Sequence, residues 1–328
     1  MDRKRLISIF SIVALVAILL SAPVLVNSVY WVSVLTIVAM NILLASSLRT
    51  IWLVGHISLG QVGFSLIGAY GSALLVLNFG FSFWLTLLVA GLLSAALALA
   101  LGYPFLKVKG IYFAILTLLT AETFRLIAFY WKGLTGGYLG LLHIPSPSPI
   151  TIPWVGVINF DAVNSYYYLT LVVVCLSLFV LFLLEHSYLG FKWRAIRDAD
   201  DLAQSVGINV MWYKILNFAI ACFFAGVAGA LFAHYQHGLS PDVSARFGVM
   251  MSIYLLIYMV VGGEGRFSGP IIGAIILTIV SELARPLREY QPMMFGALSI
   301  LVVLFMPEGL TGLPSRLKLW SRKLLKTN

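Results

Sequence analysis

The sequence predicts an all-α integral membrane protein with about ten spanning helices and both termini in the cytoplasm. Three observations lead there: a composition suited to lipid, a succession of apolar runs of spanning length, and a one-sided distribution of Lys and Arg. Hydrophobic residues fill 61% of the 328 positions and charged residues 10%, against roughly 45–50% and about 25% in a soluble domain. That is too little charge to clothe a water-facing exterior. The net charge of +9 is placed as a membrane protein places it, and nucleic acid is not an expected partner.

A helix needs about 20 apolar residues to cross roughly 30 Å of hydrocarbon. By that rule the spans fall near 6–26, 30–48, 51–78, 82–102, 110–131, 165–184, 213–236, 247–263, 269–286 and 292–310. The first follows Asp2-Arg3-Lys4-Arg5, but its apolar run is too long for a signal peptide and a second span follows almost at once, so it reads as an uncleaved anchor. With the N-terminus inside, most of the 21 Lys and Arg lie on the inner side. Lys132, Arg246, Arg285 and Arg288 fall outside and Arg125 within a span. This is the positive-inside pattern. The chain divides into a cytoplasmic start at 1–5, one transmembrane domain at 6–313 and a basic cytoplasmic tail at 314–328. Tyr30, Trp31, Tyr130, Trp131 and Tyr166 to Tyr168 mark outer span ends, where amphipathic rings favour the headgroup zone.

The third run, 51–78, is longer than one span requires. Its interior reads Gly55-His56-Ile57-Ser58-Leu59-Gly60-Gln61-Val62-Gly63, so a broken or re-entrant helix is expected, its freed backbone groups turned away from lipid. Gly63, Gly68 and Gly71 suit close helix approach, or else line a pathway, for which Gln61 is a further candidate. Two ionisable pairs occur inside spans, Glu122 with Arg125 and Glu282 with Arg285. Their i,i+3 spacing puts each pair on one helix face. They are structural ties or elements of a pathway or gate.

Two loops exceed ordinary length, an outer one at about 132–164 and an inner one at about 185–212. In the inner loop, Ala195 to Val206 reads as one short amphipathic helix. Ile196, Ala199, Leu202, Ala203 and Val206 lie along one side, and Arg194, Arg197, Asp198, Asp200 and Asp201 make the other side charged. Gly207 ends it. Such a helix between two spans is a docking knob for a partner or a solvated linker.

Catalytic chemistry finds no footing. Gly-Lys-Ser and Gly-Lys-Thr are both missing, so no phosphate-binding loop can be assembled. The five histidines form no metal-type group, and Cys175 and Cys222, both in apolar runs, read as packing residues. No enzyme activity and no metal site are expected in this chain.

The inner loop, with Arg194-Ala195-Ile196-Arg197-Asp198 and Ala203 leading to Gly207-Ile208-Asn209, resembles the coupling segment of branched-chain amino acid ABC importer permeases, of the LivM type. Leu106-Lys107-Val108-Lys109-Gly110-Ile111-Tyr112, Leu134-Thr135-Gly136-Gly137, Val261-Gly262-Gly263-Glu264-Gly265 with Ser268-Gly269-Pro270, and Pro307-Glu308-Gly309-Leu310-Thr311-Gly312 are similar to that family's pattern in the same order. Glu264 stands where the family usually has a small apolar residue.

The resemblance implies a type II-like importer permease in the inner membrane of a prokaryote. It implies a second, LivH-like permease, two cytosolic ABC ATPases that bind the ATP and Mg, and a periplasmic or lipid-tethered solute-binding protein. Alternating access would be driven through residues 195–207. The same permease type serves urea or short-chain amides. A self-contained transporter coupled to ions through Glu122 or Glu282 is the rival from another class.

Overall fold

The computed structural model describes residues 28–108, 110–152, 156–241, 246–306 and 309–312. The expected first span at 6–26 and the tail at 314–328 lie outside them. The described residues are helical almost throughout, as an apolar chain in lipid must be, because helices satisfy the backbone within the segment. Six helices are long and apolar enough to cross a membrane: α1 (Val29–Trp52), α2 (Gln61–Phe79), α3 (Phe83–Leu106), α4 (Ile111–Tyr130), then, after a short α5 (Lys132–Thr135), α6 (Val163–His186) and, beyond a pair of short helices, α9 (Val210–Gln236). The pair is α7 (Tyr188–Asp198) and α8 (Asp200–Ser205). Three shorter apolar helices follow, α10 (Val249–Gly262), α11 (Ser268–Leu283) and α12 (Gln291–Phe305).

The run at 51–78 is broken, as its glycines and polar residues suggest. Helix α1 stops at Trp52, Gly55 takes φ +81°, and α2 begins at Gln61. Donors freed by the break find partners: Leu59 N–H donates to Thr117 Oγ1 at 3.0 Å, and Gly60 N–H to Ser58 Oγ at 3.1 Å. That settlement is what permits irregular backbone here.

Helices α1 and α9 form the centre. They are 78% and 72% enclosed along their most apolar stretch, against 33% for α4. The outer helices turn apolar residues outward, among them Leu88 and Leu92 on α3, Leu119 on α4 and Leu176 and Phe179 on α6. Only lipid or another subunit accommodates such a belt.

Helices α2 and α9 cross with almost no space between backbones. A Cβ at Gly68 would lie 2.2 Å from the Gly226 carbonyl oxygen, and one at Gly229 would lie 1.9 Å from that of Ser65. Near one end, β1 (Leu141–Leu142) pairs antiparallel with β4 (Gly238–Leu239), tying the long loop to the end of α9. Within that loop β2 (Ile150–Ile152) and β3 (Gly156–Ile158) form a second small hairpin.

The single helix expected at 195–206 is two helices. Ala199 is extended, at φ −159° and ψ 97°, between α7 and α8. The expected apolar side is divided accordingly: Ile196 and Ala203 are buried, whereas Leu202 and Val206 are 69% and 76% exposed. The physical reason lies in Asp200 and Asp201, which sit in the first turn of α8 where the helix dipole favours negative charge, and in Lys214, whose Nζ holds Asp200 at 2.6 Å.

Candidate functional site

The α7–α8 segment is built onto one end of the helix bundle. Ser187 caps α7 by accepting from Leu189 N–H. Gly190 lets the helix fold back closely, since a Cβ there would meet the Glu185 carbonyl at 2.0 Å. Trp193, fully buried, packs with Leu53 and Val54. The knob therefore rests on the break between α1 and α2. Arg197 completes that contact: its Cγ lies 3.2 Å from where a Cβ of Gly55 would stand.

Behind this contact lies a buried ion pair. Arg49, in the last turn of α1, binds both carboxylate oxygens of Glu185 at 2.5 and 2.9 Å, and its Nε donates to the Glu264 carbonyl at 3.1 Å. Side-chain exposure is 4% and 9% for the two partners. One guanidinium thus joins the ends of α1 and α6 and the turn between α10 and α11. Arg194 approaches Glu185 at 4.0 Å from α7. Glu264 sits close enough to Arg197 to feel its charge; burial raises its carboxyl above the ordinary range, and Arg197 opposes that in part.

Beyond Ala199 the surface changes character. Ala203 anchors α8, Gly207 ends the turn at φ +84°, and Asn209 caps α9 by accepting from Trp212 N–H. Arg197, Asp198 and Asp201 are exposed around Leu202 and Val206, with Arg197 and Asp198 3.6 Å apart. Leu202 and Val206 are thus exposed apolar groups ringed by charges.

The other candidate residues are distributed through the bundle. Glu122 binds Arg125 Nε at 3.0 Å and Nη2 at 2.5 Å, while Arg125 Nη1 donates to the Pro241 carbonyl at 2.8 Å. Glu282 lies next to the last residue of α11, 3.5 Å from Arg285, and accepts from the Tyr30 hydroxyl. That second pair therefore sits at a helix end, with Arg285 exposed. The two pairs are not brought together. Gly63 faces Ala121, whose Cα would lie 2.5 Å from an added Cβ, and Gly71 faces only the Leu93 Cδ1 methyl at 2.9 Å.

Gln61 opens α2 at 1% exposure, and neither end of its amide has a hydrogen-bond partner among the described residues. An unsatisfied buried polar group costs about 1–3 kcal/mol. Replacing Gln61 with Met is expected to raise the melting temperature of the purified protein, by about 1 kcal/mol of stability. A lower melting temperature would mean that the amide is satisfied in the assembled protein.

Three features escape the sequence reading. The Arg49–Glu185 pair spans 136 positions, and only the placement of each residue at a predicted span end hints at it. Asn41, deep in α1, donates to Thr278 Oγ1 of α11 at 3.1 Å across 237 positions, with no local signal at all. Arg246, counted among the outer cations, reaches Asn41 Oδ1 at 2.5 Å and lies over the Phe232 ring at 4.7 Å. Ionic groups at such depth carry an insertion cost of about 2.5–3.5 kcal/mol and mark functional sites by default.

Comparison with known proteins places the chain in a family. The family model described as "Branched-chain amino acid transport system / permease component" matches residues 8–307. The chain is 35% identical over 317 residues to the high-affinity branched-chain amino acid transport system permease protein LivM of Escherichia coli K12, covering 91% of this chain and 74% of that one. It is 35% identical over 297 residues to LivM of Salmonella typhimurium LT2, covering 85% and 69%. Against the LivH permease protein of Escherichia coli K12 it is 32% identical over 146 residues, 44% of this chain and 45% of that one. No solved structure matches it. From residue 8 to residue 307, then, this chain belongs to the branched-chain amino acid transport system permease family.

Proposed function

We propose that the chain is a transmembrane permease subunit of an ATP-driven importer for branched-chain or related hydrophobic amino acids. Its spans, about ten, run from a cytoplasmic N-terminus to a cytoplasmic C-terminus in the inner membrane of a prokaryote. A LivH-like permease completes the pathway, two cytosolic ATPases bind and hydrolyse ATP with Mg, and a solute-binding protein delivers the solute from the periplasmic side. Family membership and the names of the LivM and LivH relatives support this reading.

The observation that carries the mechanism is the Arg49–Glu185 pair beneath the α7–α8 knob. A push on Leu202 and Val206 is received by α7 and α8, which are anchored through Trp193, Ile196 and Ala203. The ion pair ties the base of that knob to α1, α6 and the α10–α11 turn. Movement of the knob therefore moves spanning helices. The packing of Trp193 on Leu53 and Val54 passes the same motion to the break before α2.

The test is Gly207→Val in the transporter reconstituted with its ATPases, partner permease and binding protein. Nothing stands within 4 Å of an added Cβ at Gly207, so the substitution strains only the backbone of the turn, by about 1–2 kcal/mol. The expected result is normal membrane insertion, continuing ATP hydrolysis and a loss of most leucine uptake. Undiminished uptake per ATP hydrolysed would remove the knob from the coupling path.

A further inference from the structure

Each fully buried cation among the described residues has a carboxylate: Arg49 has Glu185, Arg125 has Glu122 and Lys214 has Asp200. Arg246, which is half-buried, differs from them. No carboxylate among the described residues lies within salt-bridge distance of it. Its neighbours are neutral, the Asn41 amide oxygen at 2.5 Å and the face of Phe232 at 4.7 Å. Asn41 stands twelve residues into α1, about 18 Å along the helix from Val29 at 1.5 Å per residue. Arg246 thus delivers a charge that no described carboxylate answers toward the middle of the membrane, and it is half-buried, so one side stays accessible.

We propose that Arg246 receives the carboxylate of the amino acid as it crosses the membrane, with Asn41 as a positioning residue. The inference rests on the amino-acid reading above. A guanidinium offers a planar fork that fits a carboxylate through two parallel hydrogen bonds. Its orientation is set by a relay: Asn41 Oδ1 accepts from Arg246, and Asn41 Nδ2 donates to Thr278 Oγ1. The N-terminus of α10 begins three residues later, at Val249, and adds the positive end of a helix dipole to the same place. An α-carboxylate supplies the missing countercharge while the apolar side chain contacts the helix walls. A lipid phosphate is the other anion of this chemistry, although the depth of Asn41 disfavours a headgroup.

The experiment measures leucine uptake by the complete transporter in proteoliposomes, with KM and kcat separated. Arg246→Gln is expected to lower kcat/KM about tenfold or more, the loss of a charged hydrogen bond, and Arg246→Lys to restore part of it. Asn41→Asp keeps the shape of the site and places a carboxylate beside the guanidinium. The protein is expected to assemble at least as well, while KM for leucine rises about tenfold because the built-in anion competes. A purely structural Arg246 predicts the opposite, an Asn41→Asp transporter with unaltered KM, and that result overturns the proposal even if Arg246→Gln fails to assemble. A KM that moves with the anionic lipid content of the vesicle and not with Asn41→Asp also overturns it, in favour of lipid. Absence of leucine uptake by the unaltered transporter is a separate failure, that of the amino-acid reading, and it is seen before any variant is made.

Discussion

Replacing Arg49 with Met is expected to destabilise the protein by about 3–5 kcal/mol, because Glu185 is then left charged and buried without its partner. Glu185→Leu should cost about as much for the mirror-image reason. The double variant Arg49→Met with Glu185→Leu removes both charges, and most of the lost stability is expected to return, since a well-packed apolar pair often equals a buried ion pair. Thermal unfolding of the purified protein in one lipid mixture reads all three. Uptake provides the second reading. The double variant should fold and yet transport poorly, because no donor then replaces the Arg49 Nε that holds the Glu264 carbonyl at 3.1 Å. Single variants that melt within a degree of the native protein would show that the pair does not brace the knob, and the coupling account would lose its physical basis.

The second large effect is expected at the crossing of α2 and α9. Gly68→Ala puts a Cβ 2.2 Å from the Gly226 oxygen and 2.4 Å from its Cα, so two backbones must part. Overpacking of a tight core costs about 1–3 kcal/mol or more. Here it also pushes α2 away from one of the two central helices, so loss of properly inserted protein is the expected outcome. Gly71→Ala on the same helix meets only a Leu93 methyl at 2.9 Å, which a rotamer change can move, and it should cost less than about 1 kcal/mol, as tolerated core swaps do. Expression and melting temperature of the two variants, compared side by side, check the contrast. Equal tolerance at both positions would mean that α2 and α9 do not approach this closely.

Much of the fold is legible because lipid reads a chain locally. Each spanning helix must satisfy its own backbone and present an apolar surface, so hydropathy alone locates α1, α3, α4, α6 and α9 to within a few residues. Helix α2 needs the polar signal as well. The interruption after Trp52 is visible because Gly55, Ser58, Gly60 and Gln61 are poor company for lipid. The pair Glu122–Arg125 follows from i,i+3 spacing, a property of one helix that needs no knowledge of its neighbours, and the same spacing points to Glu282–Arg285, although Arg285 lies just beyond the end of α11.

What depends on which helix lies beside which is out of reach of such patterns. The split at Ala199 follows from Lys214 drawing Asp200 toward α9, and Lys214 stands 14 positions further along. The contact of Arg49 with Glu185 and that of Asn41 with Thr278 join residues 136 and 237 positions apart. No periodicity encodes such distances. Charge counting gives Arg246 an outer position and says nothing of its contact with Asn41, because it sees only order along the chain. By itself, then, the order of residues determined that this protein lives in a membrane, where most of its helices run and where one of them breaks. The tertiary structure alone decided which charges find a carboxylate among the described residues and that Arg246 finds an amide instead, because compensation of a charge depends on distance through space and the chain records only distance along itself.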